Sequence, residues 1–583
     1  MKHGAFFKGG ACEFCVWAPL KERIELVING YPRPILYMEK DKGGYFRAMV
    51  PDVTVGMEYM YLIDGKDKRP DPASYWQNQG VHGPSVIYDQ NMFPWSDEGF
   101  SPPDLKKMII YEAHIGTFTP EGTFDSAVLM IPYLKKLGIN ALEIMPVAQF
   151  PGGRNWGYDG TYPFAPQDTY GGPEKLKYLI NELHKNNIAV IMDVVYNHLG
   201  PEGNYTGSYG PYFTDRYKTP WGDAVNFDGE HSEGVRDFFI QNAVFWIESF
   251  HVDALRLDAV HAIFDNSEKH ILREIKEKVS DFCMAGQRKA YVIAESDLND
   301  SRLVKDIQSG GYGLDAQWSD DFHHAVHSAL TGETGGYYGD FNGAADVAKA
   351  MESVFVYDGQ YSKFRKKEHG TSVRGIDPGR FVSFIQNHDQ IGNRAEGDRL
   401  ISICGEKKAK LAAAACLLSP FVPLLFMGEE YGETKPFLYF VSHTDKGLIE
   451  GVREGRKKEF SGFLQGGKEP PDPFSENTFY NSSPDFSKHE KGAGAEMFDL
   501  YTRLIEIRKK TRCFNDEKTR RQVSLKESCV IIEYECETGK SVLALNFGEA
   551  AYKLNADGYT LKAGDGGLII NPLSFGFYVK EDK

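Results

Sequence analysis

The chain has 583 residues, too many for one ordinary core, so roughly two to four domains are expected. At 42% hydrophobic and 25% charged it has the composition of a folded soluble protein, and it lacks the run of about 18 apolar residues that a membrane span needs. The formal charge of -16 is spread along the chain, which argues against nucleic acid or anionic membrane as main partner, because both need clustered Lys and Arg.

The start, "MKHGAFFKGGACEFCVW", lacks the apolar core and cleavage site of a secretory signal, so a cytoplasmic location is expected. The eight scattered cysteines fit reduced thiols. Cys12 and Cys15 form a CxxC inside a strand-like run with no second ligand pair, which favours a structural role over metal or redox use. Residues 1–95 read as all-β, from "EFCVWAP", "RIELVI" and "YMYLIDG" broken by turn residues. "SPPD" at 101–104 reads as a linker.

From about residue 108 apolar strands alternate with amphipathic helices. The strands are "MIIYEAH", "NALEIMP", "IAVIMDVVYNH", "HVDALRLDAV", "AYVIAE", "LDAQW", "RFVSFIQ" and "VPLLFMG". In the helix "GGPEKLKYLINELHKNN", Pro173 suits the first turn and Leu176, Leu179, Ile180 and Leu183 share one face. Alternation implies parallel strands, and eight of them predict a (β/α)8 barrel. The fold class is therefore multidomain α/β: a barrel over 96–510 between the N-terminal β unit and a C-terminal β domain over 511–583. In that tail "SCVIIEYECETGKSVLALNF" reads as two strands around a turn. Two segments break the rhythm: a short insertion at 198–232 and a long surface excursion at 461–492. Loops of that length are often functional.

Strand side chains alternate faces. In "DALRLDAVH", Leu255 and Leu257 point one way and Ala254, Arg256 and Asp258 the other. If the leucines face the helices, Arg256 faces the barrel axis and Asp258 ends the strand, at the rim where barrels build active sites. Glu295 ends the next strand and Asp389 follows "FVSFIQ". Paired carboxylates suit glycoside hydrolysis, one attacking or stabilising the anomeric carbon and the other protonating the leaving oxygen. Arg256 is expected to keep Asp258 ionised, whereas crowding and desolvation should keep Glu295 protonated. Asp193 lies deeper and reads as structural. Glu429 and Glu430 either line the site or cap the next segment.

"DVVYNH", "DALRLDAVH", "IAE" and "QNHD", in that order, resemble the four motif regions of the α-amylase superfamily of glycoside hydrolases. "VWAP" is similar to the immunoglobulin-like β-sandwich that precedes the barrel in branching enzymes, and the tail resembles the superfamily's C-terminal β domain. The resemblance implies Asp258 as nucleophile, Glu295 as general acid/base and Asp389 as transition-state stabiliser. It implies that Arg256, His198 and His388 hold the sugar, that Tyr158 stacks on it, and that His261 faces the leaving-group side. Two departures, Ala254 where Gly is usual and Ser296 where an acid is common, leave that chemistry intact. The segment 198–232 shows no calcium cage, so neither metal nor cofactor is expected.

Further phrases, "MPVAQFPGGRNWGYDG", "GPYFTDRYKTPWG", "AQWSDDFHHA" and "GEEYGETKPFLYF", resemble a member that cleaves the α-1,4 bond next to the terminal trehalose of maltooligosyltrehalose. In "AQWSDDFHHA", Trp318 either stacks on a sugar or packs, and Asp320 or Asp321 is placed to bind hydroxyls. The alternative is a branching enzyme, in which a glucan hydroxyl replaces water. A non-catalytic barrel would be expected to lack one of the three carboxylates.

Overall fold

The computed structural model describes residues 3–286, 288–460, 469–516 and 518–580. Eight parallel strands close into a barrel: β1 (Ile110–Ala113), β2 (Ala141–Ile144), β3 (Ala189–Val194), β4 (Ala254–Leu257), β5 (Tyr291–Ala294), β6 (Ala316–Trp318), β7 (Phe381–Phe384) and β8 (Val422–Phe426). β1 pairs with β8 as well as β2, so no edge is left open. The eight strands are those expected from the apolar runs.

The alternation in β4 divides two cores. Leu255 and Leu257 join the core shared with the surrounding helices, including Phe239 and Trp246 of α2 (Ser232–Phe250). Ala254 joins a lumen cluster with Ile110, Ile191, Ile293, Phe384 and Leu424. Pro173 stands in the first turn of α1 (Gly172–Lys185), ahead of the buried Leu176, Leu179, Ile180 and Leu183.

Before the barrel lie two antiparallel sheets, one built on Ala11–Trp17 and Tyr45–Pro51, the other on Ile24–Ile28 and Glu58–Ile63. Their faces meet through Phe14 and Tyr59, ring centroids 5.0 Å apart. Cys12 and Cys15 are buried there, and burial pushes both thiols up to about 12, which leaves them inert at neutral pH. Tyr45 Oη donates to Asp237 of α2 at 2.7 Å and ties these sheets to the barrel. After the barrel, a five-stranded antiparallel sheet is tied to it by Tyr534 Oη, 2.9 Å from the Leu418 carbonyl.

The two interruptions gain definite form. Within 198–232, Phe213–Thr219 and Gly222–Val225 pair as a hairpin. Of the excursion, 461–468 lie outside the described residues. The rest is anchored rather than loose: Phe479 meets Phe440 edge-on at 5.0 Å, and Phe486 meets Tyr133 at 5.2 Å. Glu429 and Glu430 follow β8 in a short turn of helix. Both are buried and accept tyrosine hydroxyls, Glu429 from Tyr501 at 3.0 Å and Glu430 from Tyr111 at 3.0 Å and from Tyr133. Burial pushes their carboxyls up to about 8 and about 7. They brace the barrel wall.

Arg508, near the end of α3 (Gly492–Lys510), donates to the carbonyls of Leu417 (3.0 Å), Ser419 (2.7 Å) and Phe421, just ahead of β8. Arg508→Met is expected to strand these buried acceptors and cost about 3 kcal/mol, read as a lower urea midpoint. An unchanged midpoint would show that the clamp does not hold β8.

Candidate active site

Arg256 is fully buried on the lumen face of β4. Its Nη1 donates to Asp193 Oδ2 at 2.7 Å and to Asp258 Oδ1 at 2.9 Å. Asn197, just past β3, donates from Nδ2 to Asp258 Oδ2 at 2.8 Å. Both oxygens of Asp258 are therefore held, Oδ1 from its own strand and Oδ2 from the end of β3. Below, the guanidinium lies 4.3 Å over the ring of Trp318. Burial opposes the charge on Arg256, but Asp193, Tyr158, Asp258 and Glu295 more than offset it and raise its pKa. Nε and Nη2 are buried without a hydrogen-bond partner, and Nη2 lies 3.7 Å from Glu295 Oε2.

Directly after Asp258 the chain turns through Ala259, at φ 40°, a left-handed conformation uncommon for a residue with a Cβ. The turn aims the Ala259 N–H at Glu295 Oε2, 2.5 Å away. Glu295 follows β5 and is 8% exposed. Burial raises its pKa well above the usual range; Arg256 opposes this, and Asp258, Asp320 and Asp389 add to it. Its carboxyl is thus pushed toward the protonated form, and the free oxygen, Oε1, is the one that can carry the proton.

Asp389 lies in the first turn of the short helix His388–Gly392, with its side chain 43% exposed and Oδ1 accepting from Asn393 Nδ2 at 3.0 Å. His388 beside it is buried; Nδ1 lies 2.5 Å from Glu112 Oε1 and Nε2 lies 2.7 Å from Tyr158 Oη. Tyr158 Oη donates to Asp193 Oδ2 at 2.6 Å, and its ring stacks on His388 at 5.1 Å. Gly157 makes this approach possible: at φ +107°, a Cβ there would sit 1.9 Å from the Pro146 carbonyl oxygen. His198 sits 3.0 Å from the Tyr158 carbonyl through Nε2, and its ring stacks at 4.6 Å on Trp221. Trp221, between the two hairpin strands, is 50% exposed.

A cavity of about 950 Å³ opens beyond Glu295, lined by His261, Asp297, Asp320, Tyr337, Phe364 and Arg365 among others, with Asp389 on its wall. His261 is exposed there, with Nδ1 3.7 Å from Asp297. Arg365 Nη2 holds Asp297 Oδ2 at 3.0 Å. The structure separates the residues of "AQWSDDFHHA". Trp318 is buried in the lumen beneath Arg256 and presents no face to a ligand. Asp321 accepts from the N–H groups of Val356 and Tyr357 and from Asn299, which makes it a loop anchor. Of the two aspartates only Asp320 lines the cavity, together with His324, and burial pushes the Asp320 carboxyl up to about 8. Among the described residues no group of three or more His, Cys, Asp or Glu could hold a metal ion.

Sequence reading overlooked Glu112 and Trp221 and underused Asn197. Glu112 carried a signal: a carboxylate inside the buried run "MIIYEAH", as in β3 and β4. Trp221 carried none, since a loop tryptophan shows no spacing relative to His198.

The model for the catalytic domain of alpha amylase matches residues 109–218. The malto-oligosyltrehalose trehalohydrolase of Saccharolobus solfataricus is 50% identical over 496 residues, 85% of each chain. A crystal structure from Salmonella typhimurium, provisionally assigned as an alpha amylase, superposes with a TM-score of 0.92 at 34% identity over the full length of both chains. The 1,4-alpha-glucan branching enzyme of Bacillus caldolyticus matches at 30% identity over 53% of this chain and 52% of its own.

Tyr158→Phe removes the one hydroxyl that joins Asp193 to His388. It is expected to lower kcat about 10–100-fold while leaving the melting temperature nearly unchanged, because misplaced positioning groups cost rate rather than stability. A wild-type kcat would show that the hydroxyl orients nothing.

Proposed function

The chain belongs to the malto-oligosyltrehalose trehalohydrolase family, within the α-amylase glycoside hydrolases, and from that premise we propose how its residues cleave the α-1,4 bond next to the terminal trehalose of maltooligosyltrehalose. Asp258 is the nucleophile. One of its oxygens attacks the anomeric carbon as the bond from that carbon to O4 of the trehalose unit breaks. Glu295 gives its proton to that oxygen, and trehalose leaves. Glu295, now a carboxylate, takes a proton from water, and the water oxygen attacks the anomeric carbon. Asp258 departs, and a maltooligosaccharide with retained α configuration is released.

The observation that carries this reading is the asymmetry of two carboxyls on one guanidinium. Asp258 is gripped through both oxygens, whereas Glu295 is pushed toward its neutral form by burial first and by three neighbouring carboxyls. Two carboxyls held in different environments are what an acid and a nucleophile require. Asp389 faces the cavity and stabilises the transition state. Tyr158, His198, Arg256 and His388 form the floor for the glucosyl unit being transferred, and Trp221 extends it. The cavity beyond Glu295 receives the trehalose unit, with His261 on its wall. No metal or cofactor takes part.

We also take the three sequence blocks 1–95, 96–510 and 511–583 as separate domains. The eight cysteines, all free and mostly buried, support a cytoplasmic site of action.

Incubation with maltooligosyltrehalose is expected to release trehalose, with the α anomer of the shortened glucan appearing first by proton NMR. Asp258→Asn should lower the rate by at least about 10³-fold. New α-1,6 branches without trehalose would instead favour the branching reading. The pH dependence follows from Glu295. With its pKa raised, the acid is protonated below that value and loses its proton as pH rises through it, so kcat/KM falls on the alkaline side. Glu295→Gln should be slow at every pH and lack that limb; a variant that kept the limb would assign it to another group.

A further inference from the structure

The hydrogen bonds around His388 leave little freedom in where protons sit. Tyr158 has one hydroxyl proton. Its oxygen lies 2.6 Å from Asp193 Oδ2 and 2.7 Å from His388 Nε2. Asp193 Oδ2 also accepts from Arg256 Nη1 at 2.7 Å, and that charge keeps the oxygen an acceptor. The tyrosine proton therefore points to Asp193, and His388 must donate from Nε2. On the other side of the ring, Glu112 presents both oxygens to His388: Oε1 lies 2.5 Å from Nδ1, and Oε2 accepts the backbone N–H at 3.0 Å. Nδ1 then donates as well. A histidine that donates from both nitrogens is an imidazolium.

We infer that Glu112, on β1, is a positioning residue that holds His388 as an imidazolium beside Asp389. The inference rests on the assignment of this rim as the catalytic one. The charge has two uses there. His388 Nε2 lies 3.7 Å from Asp389 Oδ1, so a fixed positive charge faces the third carboxylate. The direction of the relay also fixes Tyr158, whose hydroxyl stays turned toward Asp193 and away from the sugar ring. Without the negative charge of Glu112, one proton would leave His388. Nε2 would become an acceptor, Tyr158 would turn its proton to it, and Asp193 would lose that donor.

The groups around the ring agree on the sign. Burial opposes the charge; Glu112 from β1 and Asp389 from its own turn favour it, Arg256 from β4 opposes it, and the balance lies above the ordinary imidazole value. His114, past β1, is itself pushed down to about 4 by burial and adds no competing charge at neutral pH. Tyr158 and the faces of Trp156 and Trp318 complete the surroundings.

The test reads His388 directly. In protein labelled with 15N-histidine and free of substrate, its ring signals are identified by their loss in His388→Gln. In the wild type both nitrogens are expected to stay protonated at neutral pH, and in Glu112→Gln the ring should titrate about 1–3 pH units lower. Glu112→Asp, which keeps the charge, should titrate near the wild type. In kinetics the loss of kcat in Glu112→Gln should grow as pH rises through the lowered His388 value, whereas Glu112→Asp should follow the wild type. A neutral His388 in the wild type at neutral pH would overturn the proposal even if no variant folds, and so would equal titrations in wild type and Glu112→Gln. Because the spectra need no substrate, they stand or fall apart from the assigned reaction.

Discussion

The site depends on one buried guanidinium. Arg256 sits at the barrel axis with no exposed surface, and a lone charge there would be prohibitively costly. It is tolerated because β3, β4 and β5 each bring a carboxyl to it: Asp193, Asp258 and Glu295. The same contacts that make the cation tolerable fix the spacing of the carboxyls. Burial of the cation and alignment of the site are thus one requirement, met by one side chain.

Around that centre, strain and support are divided among elements far apart in sequence. Ala259 accepts a left-handed turn so that its N–H can reach Glu295. Gly157 permits the turn that brings Tyr158 over His388. Glu112 and Asp193 sit below the rim and hold groups that the sugar would touch. Trp221 arrives on a hairpin inserted after β3 and covers His198. The barrel supplies rigid strand ends, and the loops supply the surfaces that distinguish one substrate from another.

The alternation of strands was legible because period-2 patterning and strand length are local properties. Each of the eight runs held, and the facing of Leu255 and Leu257 against Arg256 followed from the pleat alone. The end positions of Asp258, Glu295 and Asp389 were legible for the same reason. Other readings stayed open where a side chain's surroundings come from other strands. Trp318 could stack on a sugar or pack, and the lumen position of β6 places it under Arg256. Glu429 and Glu430 stood open between lining the site and capping the next segment, and the hydroxyls of Tyr111, Tyr133 and Tyr501 claim them. Asp321 and Asp320 are neighbours in sequence, but only Asp320 faces the cavity.

The sequence by itself determined the barrel, its flanking β regions and the family, because these rest on patterns repeated along the chain and on motifs that keep their spacing. Only the tertiary structure decided which way protons run through His388 and Tyr158, which acids stay neutral, and which aromatic is free to meet a ligand. Protonation and exposure depend on distances of a few ångströms between residues hundreds apart, such as Glu112 and His388. A linear sequence carries no such distances.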